Sequence, residues 1–152
     1  MRLLAWCVVL VGLVVFTASA DPAPPDPDDW YQNQYAPVWK DHPWENLEEF
    51  LLYFDESIGY HSSDKAPVEL LSRAWLAESL AEWRSAGWVS SEVAGYRSDR
   101  LNAFAVTFKT KWRDEYEGGV EEFSCGWYMA DFKDSRWVFT QYADIDCAEH
   151  GL

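Results

Sequence analysis

The hydrophobic pattern of this chain changes period once, at Gly87, and that change limits the folds open to it. Before Gly87, apolar residues recur at helical spacing. Trp44, Leu47, Phe50, Leu51 and Phe54 fall on one face of a segment that Pro43 and Glu45 suit as a helix start. From about Pro67 to Ala86, Val68, Leu71 and Trp75 form one stripe, and Leu76, Leu80 and Trp83 a second beside it. An apolar arc this wide predicts a helix covered on more than one side, with Gly87 as its C-cap. Upstream, Trp30, Tyr31, Tyr35, Val38 and Trp39 fit a short helix capped by Asp29 and limited by Pro37. After Gly87 the period is two residues. Ser91–Arg97 reads as a strand and Ser98-Asp99-Arg100 as a turn. Phe104, Val106, Phe108 and Trp112 then alternate with Ala105, Thr107, Lys109 and Lys111. Beyond a turn at Glu117-Gly118-Gly119, Phe123, Cys125, Trp127 and Met129 share a face, as do Trp137, Phe139 and Ile145. Strands with one heavy and one light side predict an antiparallel sheet packed on one face.

The register of the last hairpin bears on the cysteines. Pairing Met129 with Phe139 and Phe123 with Ile145 keeps the heavy sides together across a turn near Asp134. Cys125 then faces Ala143, and Cys147 lies four residues further, roughly 13 Å away on straight strands. A Cys125–Cys147 disulfide, worth about 3 kcal/mol by loop-entropy arithmetic, therefore requires the chain to leave the sheet after about Ile145.

The first twenty residues read as a cleavable export leader. Arg2 precedes the apolar run Leu3 to Phe16, and Ala18-Ser19-Ala20 is a small-x-small cleavage pattern. The run is shorter than the ~20 residues of a membrane-spanning helix, and Cys7 sits within it rather than at a lipidation point. Cleavage after Ala20 would make the protein secreted or periplasmic, a setting in which two remaining cysteines pair. The leader carries Arg2 and no acid, so 11 basic side chains would face 26 acidic ones, a net charge of −15. Such a polyanion repels phosphate backbones and anionic lipid, which excludes nucleic acid and the membrane surface as partners. Residues 21–29 (DPAPPDPDD) read as a proline- and aspartate-rich spacer with nothing to bury. Residues 30–147 make the folded domain, and 148–152 a tail.

Helices first, then a long meander, with a Gly87-Trp88 step between them and a final strand SRWVFTQYADI: in this order the segment from Trp30 to Asp146 resembles the nuclear transport factor 2-like superfamily. That superfamily includes SnoaL-like polyketide cyclases and ketosteroid isomerase. The resemblance implies an α+β fold in which N-terminal helices pack in a curved antiparallel sheet, a cone whose open end is a pocket. It also implies, for the enzymes of that group, an acidic residue, tyrosine or histidine in the pocket. None of their catalytic motifs matches this chain residue by residue.

The chemistry-bearing residues give weaker signals. His42, His61 and His150 fall in separate connecting or terminal segments without metal-ligand spacing, so no metal or cofactor is expected. Neither a nucleophile elbow nor a phosphate loop is present. The acid/base candidates are Asp55, Tyr60 and His61, at and beyond the end of the second helix, where a carboxylate against aromatic walls would have a raised pKa. The competing reading is a solvated Asp55 and a Tyr60 that only packs. Asp131 lies near a hairpin end, where exposure is the simpler reading. Phe104, Phe108, Trp112, Trp127 and Phe139 are the candidate ligand-binding walls. The lighter sheet face, with Lys109 and Lys111 beside Tyr128 and Tyr142, would suit a homodimer interface; the competing reading is a monomer with half-wet tyrosines. The leading expectation is a non-catalytic domain that binds a small apolar or aromatic ligand or serves as an interaction module. The rivals are an isomerase-, cyclase- or hydrolase-type enzyme, and a carbohydrate- or protein-binding module using exposed tryptophans.

Overall fold

A computed structural model describes residues 23–40, 42–62 and 67–152; the leader read in residues 1–20 lies outside them. The first described element is a helical run with three windings: α1 (Pro27–Trp30), a π-helical stretch (Tyr31–Tyr35) and α2 (Ala36–Lys40). Asp26, not Asp29, caps it, accepting from the amides of Asp28 and Asp29. The run thus begins inside the segment read as spacer, with Pro27 buried and the Pro25 carbonyl accepting from the Trp137 indole at 2.9 Å. Pro37 does not end it. Proline lacks the N–H that would close an ordinary turn, and the preceding stretch is wound wide, with the Ala36 amide reaching back to the Tyr31 carbonyl. Trp30, Tyr31, Tyr35 and Trp39 are all buried as a result.

The second helix is shorter than its apolar spacing suggests. α3 covers only Leu47–Leu51, and Phe54, counted above as its last turn, instead opens strand β1 (Phe54–His61). The third helix also starts late. Val68 and Leu71 do not belong to it: β2 (Glu69–Ser72) pairs antiparallel with β1, and α4 runs Arg73–Ser85 behind the Ser72 cap. Gly87 ends it with φ +92°, a value glycine adopts freely.

Four long strands follow: β3 (Trp88–Asn102), β4 (Ala105–Tyr116), β5 (Val120–Lys133) and β6 (Arg136–Asp144). The six-stranded sheet has the order β2-β1-β6-β5-β4-β3, antiparallel throughout except for β1 against β6, which is parallel. β3 runs through the expected turn at 98–100, and the chain reverses only at Ala103-Phe104, where the Asn102 side chain accepts from the Phe104 amide. Three register shifts in β3–β4 and one in β5–β6 bend the sheet around the helices. This is the α+β cone that the sequence led us to expect.

One strand has its faces reversed. On β4 the inward residues are Val106, Phe108, Thr110, Trp112 and Asp114, all buried. Phe108 pairs with Tyr128, so β5 turns Gly126, Tyr128 and Ala130 inward and places Trp127 beside Lys109 on the outer face. The concave side already holds the rings of the helical run, with Tyr31 stacked on Phe108 at 4.3 Å. Small residues around Tyr128 fit the space left, and the bulkier set of Cys125, Trp127 and Met129 goes outside. Tyr128 and Tyr142 are therefore interior, and the outer face carries Thr107, Lys109 and Lys111 with Trp127 and Met129.

The last hairpin differs from expectation by two residues. Its turn is Asp134-Ser135, both with positive φ, and a shift between Met129 and Ala130 adds one more step. Ala130, not Met129, pairs with Phe139, and Cys125 lies opposite Ile145, whose amide it accepts at 3.1 Å. β6 ends at Asp144, the chain turns away, and Cys147 comes back to form the disulfide with Cys125 at a Cα separation of 5.4 Å.

Candidate functional site

The open end of the cone holds a cavity of about 200 Å³ where α2, the end of α4 and strands β3–β6 meet. Its aromatic walls come from Trp39, Trp83, Trp88, Trp112, Tyr128 and Tyr142. Each wall follows from local structure. The wide winding ahead of Pro37 turns Trp39 inward, the turn at Gly87 places Trp83 and Trp88 on either side of it, and the period of β4 brings Trp112 to the same face. A second, apolar pocket of about 50 Å³ shares Trp39, Trp83, Tyr128 and Tyr142 and extends towards Tyr60 and Leu71.

Polar groups are set into this aromatic surface in two networks. The Trp88 indole donates to Ser91 Oγ at 3.0 Å, Ser91 donates to Asp114, and Ser124 donates to the other oxygen of Asp114 at 2.6 Å. Asp114 is 9% exposed, the one charged residue among the described residues that is buried. Across the cavity, Asp144 accepts from Tyr142 and, at 2.8 Å, from Tyr60. Partial burial, then the Asp144 carboxylate, push the Tyr60 phenol up to about 12. Behind these, Trp112 Nε1 donates to the Tyr128 hydroxyl at 2.9 Å, and burial raises the Tyr128 pKa as well. Two buried polar atoms at the inner walls, Tyr35 Oη and Trp39 Nε1, have no hydrogen-bond partner among the described residues. Burial, first of all, raises the Tyr35 pKa well above the ordinary phenol value, and the Trp39 indole beside it acts in the opposite direction, although their geometry falls short of a bond.

Asp55, Tyr60 and His61 are not brought together. Asp55 sits at the start of β1 in an ion pair with Lys133 at 2.7 Å. Lys133 holds its carboxyl below the ordinary value, opposite to the rise expected of a carboxylate against aromatic walls. Tyr60 lines the smaller pocket, while His61, at the strand end, lines neither. Of the wall candidates, Trp112 lines the main cavity, Phe108 and Phe139 are buried in the core between the helical run and the sheet, Trp127 is on the outer face, and Phe104 is 56% exposed at a hairpin tip. Asp131 accepts from Thr140 at 2.8 Å, away from the cavity. Among the described residues no group of three or more histidine, cysteine, aspartate or glutamate side chains is placed to hold a metal ion.

The residues that sequence reasoning missed are Asp114, Asp144, Ser91 and Ser124. Asp114 had a signal: it continues the parity of Phe108, Thr110 and Trp112 by one more step, a carboxylate on the buried side of a strand. Ser91, Ser124 and Asp144 had none, since each acquires its role from a cross-strand neighbour.

No family model matches this sequence, and neither does any curated protein. Solved structures do match in fold. An NTF-2 like protein of unknown function from Shewanella oneidensis MR-1 is similar at 15% identity over 78% of this chain and 98% of its own, with TM-score 0.55. A candidate polyketide cyclase from Xanthomonas campestris pv. campestris is similar at 15% identity, covering 77% and 87%, with TM-score 0.53. A candidate scytalone dehydratase from Novosphingobium aromaticivorans DSM 12444 is similar at 12% identity, covering 72% and 74%, with TM-score 0.52. The resemblance to the nuclear transport factor 2-like superfamily read from the sequence is thus shown at the level of fold.

Proposed function

We propose that this protein is an exported domain that binds a small, largely aromatic or apolar ligand in the cone. The observation that carries the reading is an aromatic-walled cavity whose wall residue Trp39 has a buried Nε1 without a hydrogen-bond partner among the described residues, with Tyr35 Oη in the same state on the smaller adjoining pocket. Buried polar groups are normally satisfied, and a bound molecule with one suitable polar atom would satisfy them while its body fills the aromatic space. A cavity of about 200 Å³ exceeds the roughly 150 Å³ known to take up benzene. Export is supported by the apolar leader with its Ala18-Ser19-Ala20 end, and by the disulfide. Of the described tryptophans only Trp83 is exposed, at 40%, so a flat stacking platform for sugars finds no support.

Ligand-observed saturation-transfer NMR with 2-naphthol tests the proposal. Transfer is expected with the wild-type protein and should fall severalfold in Trp83→Ala, a change at the cavity rim. Equal transfer in both, or none in either, refutes it.

An acid/base enzyme is the second reading, favoured by one observation: Asp114 is buried at the cavity with both carboxylate oxygens held by serine hydroxyls. A carboxylate oriented in this way is positioned to accept a proton from a bound substrate.

A further inference from the structure

We infer that the ligand of this cavity is a cation, an alkylated ammonium group held between tryptophan faces and two carboxylates. The inference rests on the ligand-binding reading above and narrows it to one class of chemistry.

Charge is the first argument. Elsewhere among the described residues, three carboxylates have basic partners: Asp26 with Arg100, Asp55 with Lys133, and Glu92 with both Lys40 and Arg113. All of these are at least partly exposed, where an ion pair contributes little. Asp114 is the buried one, where a counter-charge matters most, and it has serine hydroxyls instead. Asp144 likewise is held by two phenols. No lysine, arginine or histidine among the described residues lines the cavity. Hydroxyl donors fix the carboxylates in orientation without cancelling their charge, so the cavity presents a negative potential that the protein itself does not neutralise. A chain with net charge −14 deepens that potential and raises the local concentration of cations.

The walls supply the second argument, and they select among cations. Trp39 lies 5.7 Å from Trp112, 5.8 Å from Trp88 and 6.3 Å from Trp83 by ring centroid, at interplanar angles of 51°, 69° and 35°. Rings at these separations pack on one another as one cluster, and the ring surface left open to the cavity forms one wall of it, beside the carboxylates. An indole face carries the negative end of the ring quadrupole and attracts a cation, most strongly where water is excluded. A hard metal ion is disfavoured because the cavity offers only two acidic side chains, and among the described residues no three histidine, cysteine, aspartate or glutamate side chains are grouped to hold one. A primary ammonium keeps a tight hydration shell, which aromatic walls cannot replace. An alkylated ammonium spreads its charge over methyl or methylene groups and sheds water easily, so it suits both parts of the surface. A hydroxyl or other acceptor on the same molecule would take the unpartnered Trp39 N–H.

Calorimetric titration of the protein with choline and with 3,3-dimethylbutan-1-ol, its uncharged carbon isostere, decides the matter. Choline is expected to bind at least tenfold more tightly and to weaken as salt is raised, because exposed parts of the field are screened. Asp114→Asn should cost choline fivefold or more and leave the isostere unchanged. Because that residue is buried, Asp144→Asn at the exposed rim serves as the second variant, with a twofold or greater loss for choline alone. Circular dichroism confirms that each variant folds. Equal binding of the two compounds, or preference for the alcohol, overturns the cation inference and leaves the ligand-binding reading intact. Binding of neither compound, together with a failure of 2-naphthol to bind, overturns both.

Discussion

Replacing Thr110 by valine would test how the helical run is fastened to the sheet. Thr110 Oγ1 and the Tyr31 hydroxyl are 2.5 Å apart, both residues are 0% exposed, and this is the hydrogen bond that joins the π-helical stretch to β4. Valine keeps the shape and removes the oxygen. The Tyr31 hydroxyl then stays buried without a partner, which costs about 1–3 kcal/mol. Tyr31→Phe creates the mirror fault by orphaning Thr110, at a similar cost. The double variant orphans neither group: the phenyl ring left by Tyr31→Phe would still stack on Phe108, and two apolar groups would face each other. Its destabilisation should be no more than about 1 kcal/mol, against about 2–6 kcal/mol for the sum of the single changes. Urea unfolding at 25 °C followed by far-ultraviolet circular dichroism reads these values, and equal m-values across the four proteins would confirm a common unfolding reaction. A double variant that matches the sum of the singles to within about 0.5 kcal/mol would refute the reasoning.

Three further outcomes follow from the same geometry. Gly126→Ala would place a Cβ 2.8 Å from the Tyr128 ring, so Tyr128 must move and loosen its bond to Trp112; a loss of about 1–3 kcal/mol is expected on chemical denaturation, with weaker ligand uptake. Reducing Cys125–Cys147 should cost about 3 kcal/mol and free residues 145–152 from the bonds that Arg97 and Lys111 make to Gly151 and Leu152, which calorimetry and carboxypeptidase trimming would register together. The raised Tyr60 pKa fixes a sign: its contribution to stability is complete below the ordinary phenol value of 10 and is lost as pH rises through about 12. Asp144→Asn removes the second cause of that rise, so tyrosinate absorbance should show this phenol titrating earlier, and an unchanged titration curve would contradict the assignment.

The element types after Gly87 were readable because a period of two in a sheet with one covered side leaves little choice. Which side faces inward on β5 was not, because bulk is a poor guide inside a cone. The helical run brings Trp30, Tyr31, Tyr35 and Trp39 into the concavity, so the strand crossing it must give up volume, as Gly126 and Ala130 do. The helical half misled for a related reason. Phe54, Val68 and Leu71 satisfy a helical spacing by position, yet β1 is recruited by the edge of β6, a partner more than eighty residues further along the chain, and β2 by β1 in turn. Local pattern cannot report a pairing at that distance.

The site was harder to read than the fold because its chemistry is assembled across strands. Asp114 on β4 receives Ser91 from β3 and Ser124 from β5; Asp144 closing β6 receives Tyr60 from β1. None of these pairs has a spacing that a motif could capture, since the antiparallel register alone makes them neighbours. Searching for a base near the end of the second helix therefore led to Asp55, a carboxylate neutralised by Lys133 at the surface. A sounder rule for such sheets is to follow each buried strand face to its end and ask what the first ionisable residue is. On β4 that rule passes Val106, Phe108, Thr110 and Trp112 and stops at Asp114, a buried carboxylate held by hydroxyls rather than by a cation.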